Sequence, residues 1–308
     1  MSPPLTVNED RHMKKKTIFA SSCILLTYLL GSCASAPVEE APPPKKKVIA
    51  DDGTNPFTEQ TFTFKNGDRY IGEVKDGLME GQGKYIFTDG KVYEGQFSNN
   101  KFNGDGVLTF PNGDVYTGQF QNDQRHGIGS MVFKSGNRYE GEFRDDVMQG
   151  KGSFRYIDET QYDGEFEKGK RQGKGVLSHP SGESYDGEWA NDKKHGYGVW
   201  KYASGERYEG TLDEGEIHGR GAYYFKDGKV YEGAFRFGKI TGEGKLTMPN
   251  GCEYVGGFKN GKYSGNGVMT CPGGVRQEGM WENNKLIRNV EKDDDEESAE
   301  PENPADEE

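Results

Sequence analysis

Tyrosine returns at Tyr70, Tyr93, Tyr116, Tyr139, Tyr162, Tyr185, Tyr208, Tyr231 and Tyr254, every 23 residues, with no insertion or deletion between them. So strict a period marks a repeat array, in which one small unit buries its apolar side only by stacking on its neighbours. The core then grows along one axis, and the 308 residues need not divide into two globular domains as length alone suggests. Forty-six glycines, 17 tyrosines and 17 phenylalanines against 31% hydrophobic residues describe strands and turns in which aromatic rings carry the burial.

Within a unit, Tyr93, Gly95 and Phe97 alternate with polar residues, and after Gly104-Asp105-Gly106 the apolar Leu108 and Phe110 alternate again. Period two places each set on one face of a strand, so each unit reads as a β-hairpin. Asp89-Gly90-Lys91, Asn112-Gly113-Asp114 and Asn250-Gly251-Cys252 supply turns between hairpins, where positive φ is cheap for glycine or asparagine. The glycine two residues after each tyrosine leaves room for a ring, which places the glycine columns beneath the aromatic columns. Phe62 and Phe64 stand where later units have Tyr85 and Phe87, so a partial unit opens the array.

Tyr-x-Gly-x-Phe/Trp, a short polar loop, Gly-x-Gly and a closing Asp/Asn-Gly turn resemble the MORN repeat. Tyr185-Asp186-Gly187-Glu188-Trp189 through His195-Gly196-Tyr197-Gly198 is an example. The resemblance covers nine units from Tyr70 to about Gly274, with partial units at both ends. It implies an all-β fold: an elongated, single-layer antiparallel array of hairpins, solenoid-like and rolled into a groove, extending about 90 Å at ~4.8 Å per strand. The departures are Gln277 in place of a tenth tyrosine, Val74 and Leu212 in place of the aromatic, and Glu159 in place of a turn glycine. Gln277 suggests a terminal cap, and Glu159 a locally altered turn near Asp158.

No reaction chemistry emerges. His126, His195 and His218 each precede the first glycine of a Gly-x-Gly, and units ~10 Å apart set adjacent histidines too far apart to share a metal. The acids Glu94, Glu140, Asp163, Asp186, Glu209 and Glu232 follow the same period and read as a solvated outer face. Without a phosphate loop, nucleophile elbow or metalloprotease motif, neither a catalytic residue, a cofactor nor a metal is expected. Pairing Phe258 opposite Gly265 also sets Cys252 opposite Cys271, compatible with a disulfide. Cys271 also occupies the apolar column of Phe87 and Phe110, and a buried thiol accounts for it as well.

The ends are built differently. Lys14-Lys15-Lys16, the apolar Thr17–Leu30 and Leu30-Gly31-Ser32-Cys33 follow the pattern of an export signal, with Met13 as the expected start of translation. Leu-Gly-Ser-Cys resembles the lipobox of bacterial lipoproteins, which implies that Cys33 is acylated after removal of residues 1–32. Ala34 follows it where an aspartate would favour retention at an inner membrane, which points to an outer membrane in a bacterium that has two. Residues 33–56 form a Pro/Lys-rich tether, 57–290 the array and 291–308 an acidic disordered tail. That tail carries eleven acids against Lys292, and residues 1–50 carry seven bases against four acids, so only −5 of the net −12 falls on the body between. Such a body offers no surplus for nucleic acid.

Function is therefore expected from a surface. The first expectation is a non-enzymatic scaffold of the cell envelope that holds a protein partner in an aromatic groove lined by Tyr116, Tyr139, Tyr162, Tyr185 and Tyr208. Those rings would serve equally as buried supports of the fold. The alternative is direct binding of phospholipid headgroups or envelope glycan, with Arg125, Lys170, Arg171, Lys193 and Lys194 in loops meeting anionic groups. An exposed end of the array leaves a homodimer open as well.

Overall fold

A computed structural model describes residues 57–289; Cys33, the export signal, the tether and the acidic tail lie outside the described residues. The array is one antiparallel sheet of 21 strands. It runs as a simple meander, each strand pairing with the next from β1 (Thr58–Thr63) to β21 (Lys285–Asn289). Seven-residue strands carrying the tyrosine, such as Val92–Ser98, alternate with nine-residue strands carrying the Gly-x-Gly, such as Lys101–Thr109.

Two turns alternate along the meander. Inside a unit the hairpin closes through two residues that both have positive φ, as in Asn122 (50°) and Asp123 (71°), the backbone that matches the twist of the flanking strands. Asparagine, aspartate and glycine tolerate it best, which explains the loop composition. Between units, Phe110 N–H donates to Asp114 O (2.9 Å) and Gly113 N–H to Phe110 O (2.9 Å), with Gly113 at φ 94°. The turn at Glu159 is not altered, contrary to what its sequence suggests. Glu159 takes φ 66° and donates to Tyr156 O (3.0 Å), while Tyr156 donates to Thr160 O (2.8 Å), so ladder pairing on both sides imposes the standard turn on an unsuited residue.

The tyrosine column is the core. All nine repeat tyrosines are at most 1% exposed. Each ring lies over two glycines, one on its own strand and one on the next; a Cβ added to Gly152 would stand 2.5 Å from the Tyr139 ring. Each hydroxyl donates to the backbone carbonyl three residues on, Tyr139 to Glu142 O at 3.0 Å and Tyr93 to Gln96 O at 2.7 Å. The carbonyl is available because the ladder slips by a bulge just past the strand glycine, between Gly141 and Phe143 in this unit. Neighbouring units interlock edge-to-face: Phe143 packs on Tyr139 of its own unit (5.2 Å) and on Tyr116 of the preceding one (4.9 Å). This zigzag of rings is interrupted at Leu212, which is buried in the aromatic position.

Both edges of the array are stapled from unit to unit. At the hairpin ends, Asp146 N–H donates to Arg125 O (3.0 Å) while its carboxylate accepts from Arg125 N–H (3.1 Å). At the opposite edge, Asp114 accepts from Lys134 N–H (2.8 Å) and Asn137 from Ile157 N–H (3.0 Å). Side chains thereby take up backbone groups that the strands leave unpaired.

Candidate binding surface

Alternation along the strands gives the sheet two unlike faces. The polar face carries the period-23 acids, among which Glu94, Glu140, Asp163, Asp186 and Glu232 are exposed. Two shallow depressions on it are floored by glycine backbone and rimmed by charges of both signs, Glu140, Lys151, Glu165 and Lys174 in one and Arg220, Glu232, Glu243 and Lys245 in the other. Mixed rims of this kind select no ligand sign.

The opposite face holds the tyrosines, but they are not its surface. Tyr116, Tyr139, Tyr162, Tyr185 and Tyr208 are sealed by the rings of their own and adjoining units, and burial pushes the Tyr185 phenol up to about 12. The expected contact row is therefore corrected: these five rings hold the sheet together and offer a partner no atoms. What remains half-exposed is the strip beside them. It runs through Tyr85, Phe87, Phe110, Phe133, Phe154, Tyr156, Trp200, Tyr202, Tyr223 and Phe225, several standing ring to ring, as Trp200 and Tyr202 do at 4.8 Å and Tyr223 and Phe225 at 4.6 Å. Phe87 and Phe110 are visible in the sequence as an apolar column, yet nothing there tells which column a neighbour covers.

Three cations enter this aromatic face from strand positions that hold Met79, Phe102, Met148, Ile217 and Ile240 in other units. Arg125, Arg171 and Lys194 thus sit on strands and not in loops as expected; Lys170 and Lys193 beside them are exposed at the hairpin ends. The Arg125 guanidinium bonds Asp146 Oδ1 (2.9 Å) and Asp146 O (2.7 Å), and Arg171 repeats this with Asp192 (3.2 and 2.8 Å) while lying 4.4 Å from the Trp189 ring centre. For Lys194 the equivalent turn residue is Gly215, so no carboxylate meets it there. Its ammonium instead lies 3.0 Å from the Trp200 ring centre and 4.0 Å from Glu183, which already accepts from Trp200 Nε1 at 3.0 Å. Burial pushes Lys194 down to about 8, with Glu183 partly opposing it.

The histidines sit within the repeat geometry. His126 Nδ1 is 3.7 Å from Asp145 and His195 Nδ1 3.3 Å from Asp213, while His218 packs on Phe237 at 5.4 Å. Cys252 and Cys271 are joined as a disulfide across the open end of the hairpin β18 (Glu253–Lys259) and β19 (Lys262–Cys271). The register that leads to it is corrected in one respect. Phe258 faces Tyr263, not Gly265, because the ladder slips between Gly256 and Phe258; beyond the slip Glu253 faces Thr270, which sets the two cysteines opposite each other.

The fold and its surface define a β-hairpin repeat protein: one open sheet of like hairpins with a sealed ring column and an aromatic strip beside it. The sequence model of the MORN repeat matches nine consecutive segments, 70–92, 93–115, 116–138, 139–161, 162–184, 185–207, 208–230, 231–253 and 254–276, and the chain belongs to the MORN-repeat family. No curated protein matches it. Among solved structures it is similar to the TCP10 domain of Danio rerio CPAP. A mutant of that domain shares 15% identity over 72% of this chain and 99% of the other, with TM-score 0.35. The wild-type domain in complex with a peptide of Danio rerio STIL shares 13% over 73% and 100%, with TM-score 0.34. A catalytically inactive virginiamycin B lyase from Staphylococcus aureus with quinupristin shares 11% over 72% and 88%, with TM-score 0.15.

Proposed function

We propose that this chain is a non-catalytic protein-interaction scaffold of the bacterial cell envelope, held to a membrane by acylation of Cys33 and engaging partner proteins through its aromatic strip. In a bacterium with two membranes the anchor lies in the outer one. The observation that carries the reading is the strip itself. Rings from Tyr85 to Phe225 stay partly exposed in every unit of that span except the one carrying Leu177 and His179, beside a column that is fully sealed, and rigid aromatics of this kind anchor interfaces. The Cys252–Cys271 disulfide supports an exported location, since such bonds persist in oxidising compartments. Two or more acyl chains at about 0.8 kcal/mol per buried CH₂ make an anchor that does not exchange. Direct binding of headgroups or glycan is the weaker reading, because the charges of Arg125 and Arg171 are already met by Asp146 and Asp192.

Proximity labelling from the anchored protein tests the groove. Trp200→Ala combined with Tyr202→Ala, with folding checked by thermal unfolding, is expected to remove most labelled partners, whereas Lys174→Glu on the polar face leaves them. Equal loss in both variants, or in neither, counts against the strip. Incorporation of a labelled fatty acid tests the anchor, and undiminished label in Cys33→Ser refutes it.

A further inference from the structure

Ten hairpins turn along one edge of the array, and the first of the two turn residues has positive φ in every one. In nine it is polar or charged, from Asp76 to Asn283. In the hairpin of β16 (Val230–Arg236) and β17 (Lys239–Thr247) it is Phe237, at φ 49°. A bulky apolar side chain is costly in the left-handed region, and burial does not offset the cost here, since Phe237 is 63% exposed. Its ring meets His218 at 5.4 Å and Arg236 at 5.7 Å and otherwise stands open to solvent.

Charge along the same edge is uneven. The turn before carries Asp213, Glu214 and Glu216, and Glu214 holds Lys193. From Phe237 onward the sign reverses: the last three turns of this edge carry Arg236 and Lys239, then Lys259 and Lys262, then Lys285, against Glu282. All five cations are exposed, and none forms an ion pair among the described residues. Like charges gathered on adjacent turns repel one another and attract an anion.

We infer that this edge is a docking surface for an acidic polypeptide segment, and that its occupant is the chain's own stretch 293–302, Asp-Asp-Asp-Glu-Glu-Ser-Ala-Glu-Pro-Glu. Reach allows it. Strand β21 ends at Asn289, four residues in from Lys285 and four strands from β17, which sets Asn289 about 13 Å along and about 19 Å across from the Phe237 turn. The straight distance is then about 23 Å, and the chain from Asn289 to Pro301 spans about 40 Å when extended.

Order along the chain also matches order along the edge. A segment leaving β21 meets Lys285 first, then Lys262 and Lys259, and last Arg236, Phe237 and Lys239. The unbroken acids Asp293–Glu297 come first and fall to the lysine turns. Pro301 follows, flanked by Glu300 and Glu302, as Phe237 is flanked by Arg236 and, across Gly238, by Lys239. Proline against an exposed ring loses little entropy on docking. Seated there, the segment closes the edge to other anionic ligands, which bind only by displacing it. This contact is separate from the aromatic strip, which lies on the face of the sheet.

Zero-length carbodiimide cross-linking of the full chain, as an equal mixture of unlabelled and ¹⁵N-labelled protein, tests the contact. Lys245 on the polar face serves as the control, because it lies about 20 Å from Asn289 by the same reckoning. Mass spectrometry is expected to find residues 293–302 linked to Lys239, Lys259 or Lys262 within single chains, at least tenfold above Lys245, with the excess lost in about 1 M salt, where charges are screened beyond ~3 Å. Phe237→Asn, which relieves the strained turn and so keeps the fold, is expected to lower the Lys239 link severalfold. Equal linkage to Lys245, a Lys239 link unmoved by Phe237→Asn, or links chiefly between chains of different label, which mark a second copy as the occupant, overturn the proposal.

Discussion

Lys194 shows how much one residue's role depends on the unit that follows it. Arg125 and Arg171 at the same register position receive a carboxylate from the next hairpin turn, whereas Gly215 leaves Lys194 with the Trp200 ring and a shared Glu183. Folding therefore favours the neutral amine and lowers its pKa to about 8 from 10.5. Below pH 8 both folded and unfolded chains hold the proton, and the folded state bears the full cost of burying the charge. Between about 8 and 10.5 only the unfolded chain holds it, so this position's contribution to stability rises with pH across that window. Lys194→Met, the residue found at positions 79 and 148, is expected to stabilise the array by about 1 kcal/mol at pH 7, the relief of desolvation exceeding the lost cation–π contact. The gain should shrink towards pH 10, and urea unfolding of both chains at pH 7 and pH 10 checks it. A gain that grows with pH would contradict the assignment of the shift to burial.

At the scale of the element, the hairpin is specified by a few backbone demands. Two positive-φ residues close it, one bulge frees a carbonyl for the tyrosine hydroxyl, and two glycines, one on each of two paired strands, lie under each ring. Nearly all of this was legible in the sequence, because asparagine, aspartate and glycine mark the turns and the glycine columns mark the close approaches. The bulge was not, since a slip of two residues keeps every side chain on its face and leaves no mark in a pattern of period two until the partner strand is placed; hence Phe258 was expected opposite Gly265. The turn at Glu159 escaped for a related reason: local preference disfavours it, but the ladders before and after it determine the turn. Glu159→Gly should therefore raise stability by about 0.5–1 kcal/mol, the left-handed penalty being partly offset by the greater freedom of glycine in the unfolded chain. Equilibrium denaturation measures this; an unchanged or lowered midpoint would mean that the turn relaxes around glutamate at no cost.

Across the whole molecule, stability is carried between neighbours, so the ends are the weak points. The disulfide lies in the last complete unit, and closing a loop of sequence separation 19 contributes about 3 kcal/mol in the chain-entropy description. Reduction should consequently loosen the array from its C-terminal end. Hydrogen exchange of the reduced protein is expected to speed up first in residues 253–289, with the units around Tyr116 to Tyr162 unaffected. Uniform acceleration along the chain would show that the sheet opens as one body.

By itself the sequence determined the unit, its period of 23, the hairpin, the apolar columns and the absence of any recognisable reaction motif, because these follow from spacing along one chain. Tertiary structure decided which of those columns is sealed. Most of the tyrosines are covered by a ring from the following unit as well as their own, with Val74 and Leu212 breaking the series, so the most conspicuous residues became the core, and plainer rings such as Phe87 and Trp200 stayed partly exposed. It also decided which cations are satisfied, since the counter-ion of each comes from the next hairpin. Both decisions depend on what the neighbouring unit places across the interface, a property of the stack that no single repeat carries.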